Sequence, residues 1–304
     1  MTSLYESLLK HVPVDFLAEE PLSRHTSFRV GGPAELFAKP QTTEELTKIL
    51  EICDLHNIPL TILGDGTNVL VADIGIRGIV VSTNKMNSIE ICNDGIVRAQ
   101  AGARLSKVAE LACKAGYSGF EFASGIPGTV GGAVHMNAGA YGSSIGDFCQ
   151  SATMHTSDGV MVKQGAEMLF DYRSSYAQLN NLLVLEAVFK LNTSGNESEI
   201  RAKMTELNNR RRQTQPLDYP SAGSAFKRPP GLFAGKLIED SGLKGFTIGG
   251  AQISEKHAGF IINTGSATAQ DIFDLIQVVR TRVHDSFNVW LTPEIRLLGF
   301  RGDE

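Results

Sequence analysis

Ser124-Gly125-Ile126-Pro127-Gly128-Thr129-Val130-Gly131-Gly132-Ala133 runs on, after three residues, to Asn137-Ala138-Gly139-Ala140-Tyr141-Gly142. Small residues fill almost every place, so the stretch has few side chains with which to build a core. Two readings stand side by side. It is a long irregular loop whose glycines let elements pack closely, or bare backbone against which a large flat ligand lies. In the second case successive N–H groups meet a pyrophosphate, and loops of this length more often carry function.

The rest of the chain bounds these readings. It has 304 residues, 42% hydrophobic and 20% charged, enough to bury a full core in one or two domains. Glycine is enriched, at 31 residues against an average near 7%. The glycines gather at 64–78, 116–146 and 223–250. Lys plus Arg is 28, Asp plus Glu is 33, and the net charge is -5. That balance disfavours nucleic acid as a partner but not one anionic small molecule at a local basic site. Apolar runs are only a few residues long, as at Leu182–Leu185, where a spanning helix needs about 20. The start of the chain lacks the basic and apolar regions of a secretory leader. A cytoplasmic location is therefore expected, with Cys53, Cys92, Cys113 and Cys149 as free, mostly buried thiols.

Patterning predicts mixed strands and helices. Thr42 and Glu45 have capping-box spacing ahead of Leu46, Ile49, Leu50 and Cys53 at helical period. Leu60–Leu63, Gly78–Ser82 and Leu182–Leu191 read as strands, and hairpins are expected at Asn93-Asp94-Gly95 and Ser157-Asp158-Gly159. Leu105, Val108, Ala109 and Ala112 suit a helix stopped by Gly116. The polar stretch Asn192–Glu199 reads as a linker, which sets the expected boundary between domains 1–195 and 196–304. A helix with Ile200, Met204 and Leu207 on one face follows it. Thr268–Phe287 is a strong helix, and Val289–Gly299 a closing strand.

Other segments offer chemistry, each with a plain alternative. Leu63-Gly64-Asp65-Gly66-Thr67-Asn68-Val69 follows a strand. It is neither a Rossmann fingerprint nor a P-loop, but it is a phosphate loop or a glycine turn. Arg210-Arg211-Arg212 with Gln215 is a solvated helix end or holds an arginine that clamps a phosphate. Ser224, in Ser221-Ala222-Gly223-Ser224-Ala225-Phe226-Lys227, is structural or faces a ligand. It lacks the context of a serine hydrolase. Glu294 and Arg296 share one face of the last strand, either as a surface pair or with Glu294 buried and its pKa raised. His257 is the one histidine that reads as a substrate contact. No metal-binding spacing occurs.

In order along the chain, these segments resemble the UDP-N-acetylenolpyruvoylglucosamine reductase family. They run from His25-Thr26-Ser27-Phe28 through the Leu63–Asn68 loop and both small-residue runs to Tyr172-Arg173-Ser174-Ser175-Tyr176. Ala222–Lys227, Leu237-Ile238-Glu239, Gly249-Gly250-Ala251, Ser254–Phe260 and Pro293-Glu294-Ile295-Arg296 complete the set. The length is similar to the shorter subclass, which lacks an inserted tyrosine loop. Thr67 stands where the family more often has Ser and keeps the hydroxyl.

The resemblance implies an α+β fold: a two-lobed FAD-binding domain of the vanillyl-alcohol-oxidase type, then a smaller α+β substrate-binding domain. It implies a cytoplasmic flavoenzyme of peptidoglycan synthesis, with bound FAD and NADPH as co-substrate. It further implies that hydride passes through flavin N5 to the enolpyruvyl group of UDP-N-acetylglucosamine enolpyruvate, giving UDP-N-acetylmuramate. Arg173 and Glu294 are implied to stabilise the enolate and Ser224 to donate the proton. FAD is expected on Gly64, Asp65, Gly66, Thr67, Asn68, Val69, Ser124, Gly125, Ile126, Pro127, Gly128, Thr129, Gly132, Ala133 and Arg296. Substrate is expected on Tyr172, Arg212, Gln215, Lys227, Lys256 and His257. The competing expectations are an oxygen-using oxidase of the same fold and a non-catalytic flavin- or nucleotide-binding module.

Overall fold

The computed structural model describes residues 9, 10 and 12–300. Most of the N-terminal stretch read for a leader, and the outer ends of both expected domains, lie outside the described residues.

The first lobe is a four-stranded sheet. Strands β1 (Phe16–Pro21) and β2 (Pro33–Ala38) pair antiparallel, and β2 and β3 (Leu60–Leu63) each pair parallel with β5 (Ile76–Ser82). Parallel strands need a crossover, and helix α1 (Thr43–His56) supplies it. Its start is set by chemistry legible in the sequence. The Thr42 side chain accepts from the Glu45 amide at 3.1 Å, and Glu45 accepts from the Gln41 amide. Leu46, Ile49, Leu50 and Cys53 are buried against Leu36, Ala38, Ile79 and Val81. Between β3 and β5, the short strand β4 (Val69–Val71) leaves this sheet.

The second lobe is a five-stranded antiparallel sheet. Its order is β11 (Gly159–Gln164), β10 (Cys149–Thr156), β12 (Leu183–Lys190), β7 (Ile96–Gln100), β6 (Ile89–Ile91). Both expected hairpins are present, β6–β7 and β10–β11. Helices α2 (Leu105–Lys114) and α3 (Val130–His135) pack on the sheet through Val108, Val130 and Val134, against Val184 and Phe189. Leu185 of β12 turns the other way, into the first lobe's core, so the lobes share this strand. After α3 comes a small antiparallel pair, β8 (Gly139–Ala140) and β9 (Ser143–Ser144), and a short helix, α4 (Tyr176–Leu179), leads into β12.

Helix α5 (Glu197–Thr214) buries the expected face of Ile200, Met204 and Leu207. A boundary at 195/196 assigns it to the second domain. Instead Ile200 and Met204 are buried in the second lobe's core, and Asn208 Nδ2 donates to Ser124 Oγ at 3.2 Å. The polar residues before it are a surface connection between two packed elements.

The remaining chain forms α6 (Ala234–Asp240), a small sheet of β13 (Thr247–Ile248), β14 (Ala251–Ile253) and β15 (Ile261–Asn263), and the long helix α7 (Ala269–Phe287). Its core of Ile238, Ile253, Ile272, Leu275, Ile276 and Val279 also takes in Phe28, Val30 and Leu70 from the first lobe. Asp73 of that lobe accepts from the Ala269 and Gln270 amides, adding to the Thr268 cap of α7.

The closing strand is shorter than expected: β16 covers only Arg296–Leu298, paired parallel with β4. Ahead of it the chain hydrogen-bonds another segment. Phe226 bridges Pro293, and the Lys227 and Glu294 amides donate to Thr292 and Ala225. Proline has no N–H to give a ladder, and this change of partner turns Glu294 inward. No helix among the described residues is long and apolar enough to cross a membrane, and the four cysteines are free.

Candidate active site

Two cavities lie end to end along the seam between the lobes and the C-terminal part. The first, of about 780 Å³, is walled by the Gly64–Val69 and Ile126–Ala133 stretches. The second, of about 820 Å³, is walled by Tyr141–Ser144, Asp171–Arg173, α6 and Lys256–Gly259. Among the described residues, only Gly139, Ala140, Arg173, Ser224 and Glu294 line both. The three residues singled out as catalytic thus meet at the waist.

The wall of the first cavity follows from its glycines. Gly66 has φ +62, and a Cβ there would sit 2.0 Å from the His25 carbonyl oxygen, so only glycine fits this turn. Thr67 Oγ1 donates to the Pro127 carbonyl at 3.2 Å, tying the two loops into one surface. Asp65 pairs with Arg104 at 3.4 Å. Asn68 donates to the Glu294 carbonyl at 2.9 Å and accepts from the Arg296 amide at 3.0 Å, locking β16 onto the loop.

Other glycines are bare for a different reason. A Cβ on Gly132 would meet nothing nearer than 3.7 Å, and one on Gly223 nothing within 4 Å. Gly223, at φ +76, is held to glycine by its backbone, whereas at Gly132 neither backbone nor packing demands it, so the free space there is space for a ligand. The cavity falls in the usual range for small-molecule sites, about 300–1,000 Å³, and its backbone-rich wall fits a dinucleotide such as FAD. Ser124 and Gly125 are not part of that wall. They sit behind it against α5, where a Gly125 Cβ would collide with Asn208.

At the waist, Arg173 Nε donates to Glu294 Oε1 at 2.5 Å. The Glu294 side chain is only 9% exposed. Burial raises its pKa above the usual carboxylate value, and the charges of Arg173 and Lys227 offset only part of this. The reading of Glu294 as a surface pair is therefore excluded. Ser224 lies between Gly223 and buried Ala225 and is exposed to both cavities. Its segment is pinned by the Phe260 bridge on one side and by the 292–294 segment on the other.

The expected substrate residues divide. Tyr172, Lys256 and His257 line the second cavity, and Gln215 and Lys227 the first. Tyr172 Oη accepts from the Arg228 amide at 3.0 Å. Burial lowers the His257 pKa, and its Nδ1 accepts from the Gly259 amide. Arg212 lines neither cavity. It is exposed on α5, bonded to Asn209, and its carbonyl takes the Lys256 ammonium at 2.6 Å.

Its neighbour Arg211 faces the first cavity, and burial pushes its guanidinium pKa down. No carboxylate pairs with it among the described ion pairs, and Gln215 Oε1 close by is buried with no partner. Helical spacing held the clue: Ile200, Met204, Leu207 and Arg211 follow one face, and Arg212 falls off it. His135, at the end of α3, was also missed. Burial, and secondarily Arg296, push its pKa down to about 4, so a neutral imidazole lines the cleft beside Arg296.

The chain is similar to known proteins over nearly its whole length. An FAD binding domain family matches residues 34–165, and the UDP-N-acetylenolpyruvoylglucosamine reductase C-terminal domain matches residues 215–298. The UDP-N-acetylenolpyruvoylglucosamine reductase of Caldanaerobacter subterraneus subsp. tengcongensis is 50% identical over 281 residues, 92% of each chain. That of Lachnoclostridium phytofermentans is 48% identical over 285 residues, also 92% of each. The crystal structure of the Thermus caldophilus enzyme superposes with a TM-score of 0.79 at 33% identity, covering 94% of this chain and 98% of that one. Near-full-length identity, both domain matches and the shared fold lead to one conclusion: the chain belongs to the UDP-N-acetylenolpyruvoylglucosamine reductase family of oxidoreductases.

Proposed function

We propose that the waist between the two cavities is where the enolpyruvyl group of UDP-N-acetylglucosamine enolpyruvate is reduced to UDP-N-acetylmuramate, with Arg173, Ser224 and Glu294 as the catalytic residues. The observation that carries this reading is their convergence, from three separate segments, where the cavities join. The enzyme takes its electrons from NADPH. FAD, held by the 64–69 and 126–133 walls, supplies the hydride chemistry when bound.

The chain's own residues then have definite work. As hydride reaches the vinyl carbon, negative charge builds on the adjacent carbon and on the carboxylate conjugated with it. Arg173 is a fixed cation at that position, and one such donor is typically worth about 3–4 kcal/mol. Glu294, its pKa raised by burial, hydrogen-bonds the same oxygens in its protonated form. Ser224 gives a proton to the carbon bearing the ether oxygen. A serine hydroxyl is a weak acid, so this step depends on the basicity of the enolate. The UDP portion lies in the second cavity among Tyr172, Lys244, Lys256 and His257. Arg211, with Gln215, holds an anionic oxygen in the first. A cytoplasmic place in the supply of cell-wall precursor, and so in cell shape and division, fits this chemistry. The packing of α5 supports dividing the domains near 215 instead of 195.

Purified protein should be yellow. NADPH should bleach the flavin, and the enolpyruvyl sugar nucleotide should restore its colour. In Ser224→Ala, bleaching should be unchanged and recovery slowed by about 10²–10⁴-fold. Unchanged recovery would remove Ser224 as the donor.

A further inference from the structure

Arg173 sits at the tip of a four-residue turn in a left-handed conformation, φ +53, which a non-glycine residue adopts only when its surroundings impose it. The turn closes on itself, with Asp171 and Ser174 exchanging both backbone hydrogen bonds at 3.1 and 3.2 Å. What orients it lies elsewhere, at the end of α3. Asn137 is 7% exposed, and both ends of its amide are engaged. Nδ2 donates to the Asp171 carbonyl at 2.9 Å, and Oδ1 accepts from the Gly146 amide at 2.8 Å. Ser175, fully buried, donates from Oγ to the His135 carbonyl at 2.7 Å. The Arg173 guanidinium in turn reaches the carbonyls of Asn137 and Gly139 at 3.5 and 3.4 Å.

We infer that Asn137 and Ser175 are positioning residues for Arg173: a two-point clamp that fixes the base of the turn to α3, so that the guanidinium arrives already aimed at the waist. The inference rests on the catalytic role proposed above for Arg173. Asn137 suits the task because its own φ is +44, which asparagine tolerates better than most residues, and because one amide must donate and accept at once. An aspartate has the same shape but cannot donate to the Asp171 carbonyl when ionised. Catalysis through a fixed charge is sensitive to aim, and a displacement of about 1 Å can cost about 10²-fold.

The test uses the full-length flavoprotein and follows its two half-reactions separately. In Asn137→Asp, and independently in Ser175→Ala, recovery of flavin colour by the enolpyruvyl sugar nucleotide should slow by about 10²-fold, with bleaching by NADPH within about twofold of wild type. The Ser174 amide should exchange with solvent faster as the turn loosens. In an Arg173→Ala background neither substitution should slow recovery further, since the group they aim is gone. Equal loss in both half-reactions, or a full additional loss in the Arg173→Ala background, would overturn the clamp. Should Asn137→Asp not fold, Ser175→Ala decides alone. Unchanged recovery in Arg173→Ala itself would instead overturn the role given to Arg173, and the clamp with it.

Discussion

Two cleft-lining positions separate ligand space from packing space. Gly132 is in α3, where alanine is favoured over glycine by about 0.5–1 kcal/mol, and its Cβ would touch nothing closer than 3.7 Å. Gly132→Ala should therefore leave the melting temperature equal or higher while lowering flavin content, read from the ratio of visible to protein absorbance. Gly66→Ala should destabilise the fold outright, because its Cβ would overlap the His25 carbonyl. Arg211 gives a parallel contrast. A desolvated guanidinium without a counter-ion costs stability, and the anion-holding role proposed for Arg211 would offset that cost in the complex. Arg211→Met keeps the aliphatic packing and removes the charge. It should unfold at the same or higher temperature and bind its ligand at least about tenfold more weakly, as measured by titration of the apo-protein with FAD and of the holo-protein with the sugar nucleotide.

The last strand shows how an element's change of partner makes a site. Pairing of 292–294 with the Ser224–Lys227 segment buries the Glu294 carboxyl, whereas pairing of 296–298 with β4 sends Arg296 to the first cavity. Burial raises the Glu294 pKa. The native fold thus holds this proton more tightly than the unfolded chain. The stability it lends at low pH is lost as pH rises from the ordinary carboxylate value through the raised one. A substrate carboxylate placed beside it would raise the value further. Recovery of flavin colour should accordingly fall as pH rises through that raised value. Glu294→Gln should abolish this limb and outperform Glu294→Asp at high pH, and a limb that persists in the glutamine variant belongs to another group.

The architecture is tied together more tightly than a two-domain sequence reading implies. Leu185 joins the lobes, Phe28 and Leu70 enter the C-terminal core, β16 pairs with β4, and Asp73 caps α7 across the seam. One cooperative unfolding transition is expected by calorimetry, not two. Asp73→Ala removes a side-chain cap worth about 1 kcal/mol. It should lower that single transition by a few degrees and leave bleaching by NADPH unchanged. A separate early transition for the C-terminal part would show that the seam is weak.

Local order was largely legible in the residues. The Thr42 cap, the period of Leu46 to Cys53, the hairpin turns at Asp94-Gly95 and Asp158-Gly159, and the apolar face of α7 each act within one element, where neighbours in sequence are neighbours in space. The small-residue runs likewise announced a wall with few side chains. What the chain alone left open was every choice between faces and partners. It did not decide whether Arg211 or Arg212 turns inward, whether α5 joins the second lobe or the C-terminal part, or where β16 begins. Nor did it mark Ser124 and Gly125 as standing behind the wall, or Asn137 as aiming Arg173. Each of these depends on desolvation and hydrogen bonding between separate segments, energies that exist only once the lobes have closed on one another.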